Sequence, residues 1–248
     1  MSNFFSKPAL VVSCVALLVS LSGSQDAHAG EDIHATWNTL LHTYVSDGVV
    51  NYSGIKKSAL KDLESYIEKM ATTDPAMFSK SDQLAYYLNV YNANVIKGIV
   101  DLMPTRSVMR HKGFFKSPRV KIGGTAHAKK ISLDDLEHKI VRPTFKDPRV
   151  HFALVCAARG CPSIPDHAFS GAKIDHCLEH LATQFFNSKK GAQVRGRSLR
   201  VSSILDWYKS DFGTTKEAII AFVRTYRKGL PKNPKLSFLK YDWALNDR

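Results

Sequence analysis

Apolar residues recur every three to four positions along the first part of the chain, and this spacing predicts amphipathic helices. Two such stripes come before residue 71. Their members are Ile33, Trp37, Leu40, Leu41 and Tyr44 in the first stripe and Leu60, Leu63, Ile67 and Met70 in the second. A turn-like stretch around Gly48 to Gly54 separates them. Each stripe therefore predicts one helix with a single face against the core.

A longer apolar run, Leu84 to Val100, predicts a helix that is buried on most sides. Ser79 and Asp82 stand three positions apart just before the run, which is the spacing of a capping box. Pro104 follows the run and predicts its end, because proline cannot continue a helix.

Shorter apolar segments follow Pro104 and predict hairpins. The Gly123-Gly124 pair indicates a turn between two extended pieces within residues 112–133, and Gly196 indicates another within residues 194–201. The continuous apolar segment Val150 to Val155 predicts a strand at the centre of a sheet, since both of its faces are apolar.

Three more helices are predicted in the second half of the chain, from entry patterns and apolar stripes. They are Leu136 to Val141 after Ser132, the stripe from Ile174 to Phe185, and a helix through Tyr226 capped by Thr214 to Glu217. Helices and hairpins are segregated rather than alternating. We therefore expect one α+β domain, with a helical N-terminal part packed on a small, mostly antiparallel sheet with hairpins.

The N-terminus has the composition of a secretory signal peptide. Lys7 is followed by the apolar stretch Ala9 to Leu21, and Ala27-His28-Ala29 fits a cleavage site. Two alternatives are lipidation at Cys14 and an uncleaved membrane anchor. The long apolar run after Cys14 disfavours lipidation, and the polar residues before the cleavage site disfavour the anchor. We expect residues 1–29 to be removed and the protein to be exported, to the periplasm or outside the cell.

Removal of residues 1–29 leaves residues 30–248 as a single globular domain, with no further segment long and apolar enough to span a membrane. The whole chain has a formal net charge of +13 at pH 7. Its basic residues are scattered, and no nucleic-acid-binding pattern is present, so we expect no nucleic-acid partner. A positive field of this kind favours an anionic envelope component as a partner.

The stretch VHFALVCAARGCPSI, residues 150–164, contains Cys156 and Cys161. In an oxidising compartment, two cysteines this close predict a disulfide. Residues 30–248 also contain Cys177, and three cysteines leave at least one thiol unpaired. Cys177 lies on an apolar helix stripe, where a small buried side chain is expected. The hypothesis of a nucleophilic thiol at Cys156 or Cys161 therefore stays open.

A thiol nucleophile needs a base, and His151 is the nearest histidine in sequence. Residues five apart lie on opposite faces of a straight strand, so His151 can meet Cys156 only if the chain turns there. Gly160 is the residue expected to permit that turn through a positive φ.

Asn89 and Asn92 interrupt the apolar helix and share one face of it, because they stand three positions apart. The structural interpretation is that their amides tie the helix to neighbouring backbone. The functional interpretation is that they orient a base or donate to an oxyanion.

His176 and His180 stand four apart beside Glu179, which is ligand spacing for zinc if a third group such as Cys161 or His167 joins them. The order differs from the H-E-x-x-H of zinc proteases. We predict no metal and no cofactor.

Several segments together resemble the domain-of-unknown-function family 547, which occurs in bacterial envelope proteins and in plants. They are WNTLLHTYVSDGVVNY, QLAYYLNVYNA, ISLDDLEHKIV, DPRVHFALVCAARGCPSI and SSILDWYKSDFG, between Trp37 and Phe212. The resemblance implies that the helix with two asparagines and the His…Cys…Cys-Pro segment are the characteristic elements. It implies no particular activity.

Two functional hypotheses follow. The first is a cysteine-dependent hydrolase or acyltransferase acting on an envelope or peptide substrate, with Cys156 or Cys161 as nucleophile, His151 as base, and Asn89 or Asn92 orienting. The second is a non-catalytic periplasmic binding domain with a Cys156–Cys161 disulfide and a basic surface. Redox or metal handling by these cysteines is a third hypothesis.

Asp211 is a possible carboxylate partner for a histidine. Its place near the end of a short helix favours instead an exposed side chain or a surface pair with Lys209 or Lys216. We therefore leave Asp211 outside the predicted site.

Overall fold

A computed structural model describes residues 33–124 and 129–248 of the protein. The predicted signal peptide, residues 1–29, lies outside these described residues. The α-helices are α1 (Ala35–Tyr44), α2 (Tyr52–Ser58), α3 (Leu60–Thr72), α4 (Lys80–Leu102), α5 (Leu133–Asp135), α6 (Arg142–Phe145), α7 (Ile174–Asn187), α8 (Ile204–Trp207), α9 (Lys209–Phe212) and α10 (Lys216–Tyr226). Within the same two ranges, no helix combines the length and the apolarity that a bilayer crossing requires.

The strands form three small sheets rather than one. They are β1 (Val45–Ser46) with β2 (Val49–Val50), β3 (Val120–Ile122) with β4 (Lys129–Ile131), and β5 (Ala192–Arg195) with β6 (Ser198–Val201) and β7 (Lys235–Phe238). All pairs are antiparallel except β6 with β7, which is parallel. The α+β class and both predicted hairpins are confirmed, and β1–β2 and β7 are additions that the sequence pattern did not predict.

Helix α4 runs through the middle of the fold and is buried over most of its circumference, as predicted. Ser79 caps it by accepting a hydrogen bond from the Asp82 amide at 3.2 Å, and the helix ends two residues before Pro104. Helices α2, α3 and α7 pack around it, because an apolar stripe is stable only when another apolar surface covers it. The core is thus organised around α4, an apolar helix that also contains several polar residues.

The predicted central strand at residues 150–155 is wrong. A 3₁₀ helix, Pro148–Phe152, opens this segment, and residues 153–155 continue it without strand pairing. The Asp147 side chain caps the 3₁₀ helix by accepting from the Arg149 amide, with proline in the first turn. Every residue from 150 to 155 is buried as expected, because a short apolar run indicates burial without distinguishing strand from helix.

A second unusual helix lies between α5 and α6. The Ser132–Asp135 capping box is present, but the predicted helix from Leu136 to Val141 is a π-helix. The Arg142 amide bonds back to the Glu137 carbonyl across its wider turn. Such turns are rare and recur at functional sites, and this one carries Glu137 and His138.

The last ten residues, 239–248, are called here the C-terminal segment. This segment runs beside residues 157–160, where the Arg159 amide donates to the Ala244 carbonyl at 2.7 Å and the Gly160 amide to the Asp242 carbonyl at 2.9 Å. A Cβ at Gly160 would lie only 3.0 Å from the Asp242 nitrogen. Gly160 therefore permits close approach of two backbones, and the positive φ expected there occurs instead at Ala157, at 61°.

Candidate functional site

A cavity of about 630 Å³ opens between the π-helix, the turn after the 3₁₀ helix and the C-terminal segment. This volume is typical of a small-molecule site. Buried His151 and Glu137 form its floor, and the exposed Lys112 and Lys116 lie at its rim. Cys156 and Cys161 also line it, so three of the predicted site residues, these two and His151, share this cavity.

His151 is held by Asp211. The Nε2 of His151 lies 2.7 Å from Oδ2 of Asp211, and the His151 side chain is almost fully buried. Asp211 was left outside the predicted site, and its expected pairing with Lys209 or Lys216 is replaced by this contact. The structure therefore supplies the carboxylate that a histidine base requires for orientation.

Arg142 fixes Asp211 in turn through a two-pronged contact. Its Nε and Nη2 lie 2.7 and 2.8 Å from the two carboxylate oxygens. These bonds from Arg142 hold the pKa of Asp211 well below its ordinary value. Asp211 stays ionised and can only accept, so the proton of the shared hydrogen bond belongs to Nε2 of His151.

The other ring nitrogen of His151 is left with its lone pair while the imidazole is neutral. Burial lowers the pKa of His151 from its ordinary value, and the hydrogen bond to Asp211 and the charge of Glu137 oppose that shift only in part. The neutral ring is therefore the form present at pH 7. Its Nδ1 lies 3.8 Å from Oε1 of Glu137, too far for a direct hydrogen bond.

Glu137 is a buried carboxylate surrounded by phenols. The Tyr91 hydroxyl donates to its Oε2 at 3.2 Å, and the charge of Glu137 also acts on the Tyr208 hydroxyl. Burial, followed by the charge of Glu137, raises the pKa of both tyrosines, so their hydroxyls remain donors. The Tyr208 ring also packs on His151, with centroids 4.0 Å apart.

Cys156 and Cys161 are joined by a disulfide, with sulphur atoms 2.15 Å apart. Cys161 is buried, whereas Cys156 is partly exposed. The Cys161 sulphur accepts a hydrogen bond from the Cys156 amide at 2.9 Å, and the Tyr241 hydroxyl lies 3.2 Å from it and 3.1 Å from the Cys156 sulphur. The predicted disulfide thus forms part of the cavity wall.

An aromatic wall, formed by Trp207, Tyr241 and Trp243, stands beside the disulfide. The ring centroid of Tyr241 lies 4.8 Å from that of Trp207 and 4.6 Å from that of Trp243, and the two indoles stack on each other with centroids 5.7 Å apart. Trp207 is 48% exposed. A large aromatic surface left open at a cavity indicates contact with a ligand rather than a contribution to the core.

Asn89 and Asn92 do not line this cavity; their amides bond to backbone. Asn92 donates to the Ala153 carbonyl at 2.8 Å and accepts from the Val155 amide at 3.0 Å. Asn89 bonds both backbone groups of Phe169 in the same manner, at 2.9 and 3.0 Å. Asn92 therefore anchors the segment that leads from His151 to Cys156, which is a positioning role.

The histidines of α7 lie elsewhere. His176 and His180 share one face, with ring centroids 6.4 Å apart, and Cys177 is a free, half-buried thiol whose sulphur lies 3.9 Å from Nε2 of His167. In the part of the chain that the structure describes, no three His, Cys, Asp or Glu side chains form a metal-binding group.

Several residues of the cavity were missed by the sequence argument. Glu137, Trp207 and Tyr208 lie within segments that carry the family resemblance, ISLDDLEHKIV and SSILDWYKSDFG, which was their only signal. Tyr241 and Trp243 lie in no such segment. Neither periodicity nor spacing indicates that residues so far from His151 in sequence share its cavity.

The family model described as "Protein of unknown function, DUF547" matches residues 75–186. This match confirms the resemblance, over a shorter range than Trp37 to Phe212. It includes Glu137, His151 and both cysteines of the disulfide, whereas Asp211 and the aromatic wall lie beyond it. No curated protein and no solved structure matches the chain.

Proposed function

We propose that this protein, a member of DUF547 through residues 75–186, is an exported hydrolase or acyltransferase that acts on an ester or amide of an envelope or peptide substrate. The observation that carries the proposal is the Asp211–His151 pair, 2.7 Å between nitrogen and oxygen, whose histidine lies at the floor of a cavity of about 630 Å³. An ionised carboxylate, a neutral buried imidazole and a ligand-sized cavity are the parts of a general-base site.

The disulfide determines which nucleophile the proposal uses. While Cys156 and Cys161 share a bond, neither sulphur is a thiolate, and only a thiolate attacks a carbonyl group efficiently. We therefore assign the nucleophile in hydrolysis to a water molecule rather than to either cysteine; an acyltransferase would use an acceptor hydroxyl or amine in place of this water. Nδ1 of His151 takes a proton from this water as its oxygen adds to the carbonyl carbon. The proton then passes to the leaving oxygen or nitrogen as the ester or amide bond breaks.

The charges around His151 suit this proton transfer. After Nδ1 takes the proton, the imidazolium lies between Asp211 and Glu137, and both carboxylates stabilise it. Burial keeps the ring neutral beforehand. The site thus favours the charged form only during the reaction.

Hydrolysis of a panel of p-nitrophenyl esters and p-nitroanilides, without reductant, tests the proposal. We expect turnover by the wild-type protein and a loss of about a hundredfold or more in His151→Ala, the usual contribution of a general base. His176→Ala is the matched control, because His176 is exposed on α7 and does not line the cavity. Turnover that survives in His151→Ala would exclude the proposed base.

A second candidate function is binding without catalysis, for an anionic envelope component. It is favoured by Lys112 and Lys116, which lie at the rim with no carboxylate partner among the salt bridges of the described residues. Saturable binding of an acidic glycan or acidic peptide that weakens with added salt, in a protein that hydrolyses nothing in the panel, would favour this function.

A further inference from the structure

We propose that the Cys156–Cys161 disulfide is a reactive group that exchanges with a small acidic thiol bound in the cavity. This activity goes beyond hydrolysis and uses different atoms. Three observations carry it: the disulfide lies in the cavity wall, its two cysteines differ in exposure, and the sulphur of the buried one, Cys161, accepts a hydrogen bond from the Cys156 amide.

The difference in exposure fixes the direction of attack. Both cysteines line the cavity, but Cys156 is partly exposed, whereas Cys161 is only 2% exposed. Exchange proceeds by attack of a thiolate on an accessible sulphur. The incoming thiolate therefore reaches Cys156.

The donors then stabilise the leaving group. The thiolate forms a new S–S bond to Cys156, the Cys156–Cys161 bond breaks, and its electron pair goes to the Cys161 sulphur. The Cys156 amide donates to that sulphur at 2.9 Å, and the Tyr241 hydroxyl, which lies 3.2 Å from it and 3.1 Å from the Cys156 sulphur, can donate to it as the bond breaks. Donors to a thiolate stabilise it and make it leave faster.

A second thiolate completes the reaction. It attacks the ligand sulphur of the mixed disulfide, and Cys156 leaves as a thiolate. Two ligand thiols are thereby oxidised to one disulfide, the protein disulfide is reduced by the same two electrons, and the two protein thiolates take up protons. A low-molecular-weight disulfide, such as oxidised glutathione, restores the starting state by the reverse steps.

The positive charge at the cavity rim indicates that the thiol ligand is acidic. Lys112 and Lys116 are exposed at the cavity mouth, so carboxylates on the ligand are attracted there. Glutathione carries such carboxylates, and cysteamine, a cationic thiol, is the matched comparison.

Peptide mapping tests the proposal on the full, native chain, because trypsin places each cysteine in its own peptide. Cys156 falls in residues 150–159, Cys161 in 160–173 and Cys177 in 174–189. The protein is mixed with reduced glutathione, quenched with an alkylating agent and digested. We expect glutathione on the 150–159 peptide and the alkyl group on the 160–173 peptide. Glutathione mainly on Cys161, or no exchange in native protein under conditions that reduce the unfolded protein, would overturn the proposal.

Two comparisons of exchange rates extend this test. Tyr241→Phe keeps the ring and removes the donor, so we expect exchange about two- to tenfold slower, the effect of one hydrogen bond. Tyr44→Phe on α1 is the control and should match the wild type. Glutathione should react faster than cysteamine at equal thiolate concentration. Equal rates for glutathione and cysteamine would overturn the preference for an acidic ligand. An exchange rate that is unchanged in Tyr241→Phe would overturn the role of Tyr241.

Discussion

Asp211 Oδ2 lies 2.7 Å from Nε2 of His151, although the two residues are 60 positions apart in the chain. The contact joins α9 to the end of the 3₁₀ helix and makes the ring a base with a defined free nitrogen. Arg142 keeps the carboxylate ionised and in place. The proposed chemistry depends on this relationship more than on any other.

Replacing Asp211 with asparagine should therefore reduce the rate strongly. The Asn amide can donate to Nε2, which moves the ring proton to Nδ1 and removes the free lone pair. We expect kcat/KM for the best ester of the panel to fall by about a hundredfold or more. Asp206→Asn, an exposed change on α8, is the control. Equal losses in both variants would point to damage unrelated to the histidine.

The pH dependence of the rate should report the lowered pKa of His151. Because the neutral ring is the base, kcat/KM should stay constant above pH 6.5 and fall only at a midpoint below that value. Glu137→Gln removes a charge that raises the pKa of His151, so the midpoint should move to still lower pH. A midpoint that rises in this variant would contradict the placement of Glu137 beside Nδ1.

Trp207→Ala should weaken substrate binding and leave the chemical step intact. The Trp207 side chain is 48% exposed at the cavity, and its ring contacts are with Tyr241 and Trp243 rather than with His151. We expect KM to rise by about tenfold, corresponding to loss of a stacking contact of about 1.4 kcal/mol, with kcat nearly constant. Phe238→Ala on β7, also exposed and away from the cavity, should change neither constant.

Asn92→Ala should destabilise the fold. It leaves the Ala153 carbonyl and the Val155 amide without their side-chain partner inside the core, so we expect the free energy of unfolding to fall by about 2–4 kcal/mol in urea titration. Asn94→Ala on the same helix is the matched control, since its amide bonds only to the Val90 carbonyl one turn away. A smaller loss for Asn92→Ala than for Asn94→Ala would contradict the anchoring role.

His34 should make stability depend on pH. Burial lowers its pKa from 6.5 to about 4, and it contacts the Tyr66 hydroxyl at 2.7 Å. Below pH 6.5 the unfolded chain binds a proton that the folded chain does not, so stability should fall between pH 6.5 and about 4, by up to about 3 kcal/mol. Unfolding in urea at several pH values should show this slope, and His34→Gln should flatten it. An identical slope in the variant would assign the effect to other groups, such as His151.

Local patterns predicted the helices well because their causes are local. Ser79 and Asp82 form their cap, Pro104 ends α4, and the stripes of α1, α3 and α7 face the core. The same reasoning failed at residues 150–155. There the backbone groups of Ala153 and Val155 are satisfied by the side chain of Asn92 rather than by a neighbouring strand, and periodicity carries no information about such a partner.

The site was only half predictable for a related reason. His151, Cys156 and Cys161 are close in sequence, so the sequence alone indicated that they could lie in one site. Asp211 was weighed as a partner and then set aside, because nothing in its neighbourhood distinguishes it from a surface acid. Its contact with His151 arises from the packing of α9, which depends on residues far away in the chain.

The C-terminal segment connects distant parts of the protein. Tyr241 and Trp243 stand in the cavity wall, Leu245 pairs with Ala158, and Asp247 pairs with Val50 of β2 in the first hairpin. These residues supply one side of the cavity, so cleavage of the chain before Leu239 would leave the helices around α4 in place and the cavity open on that side.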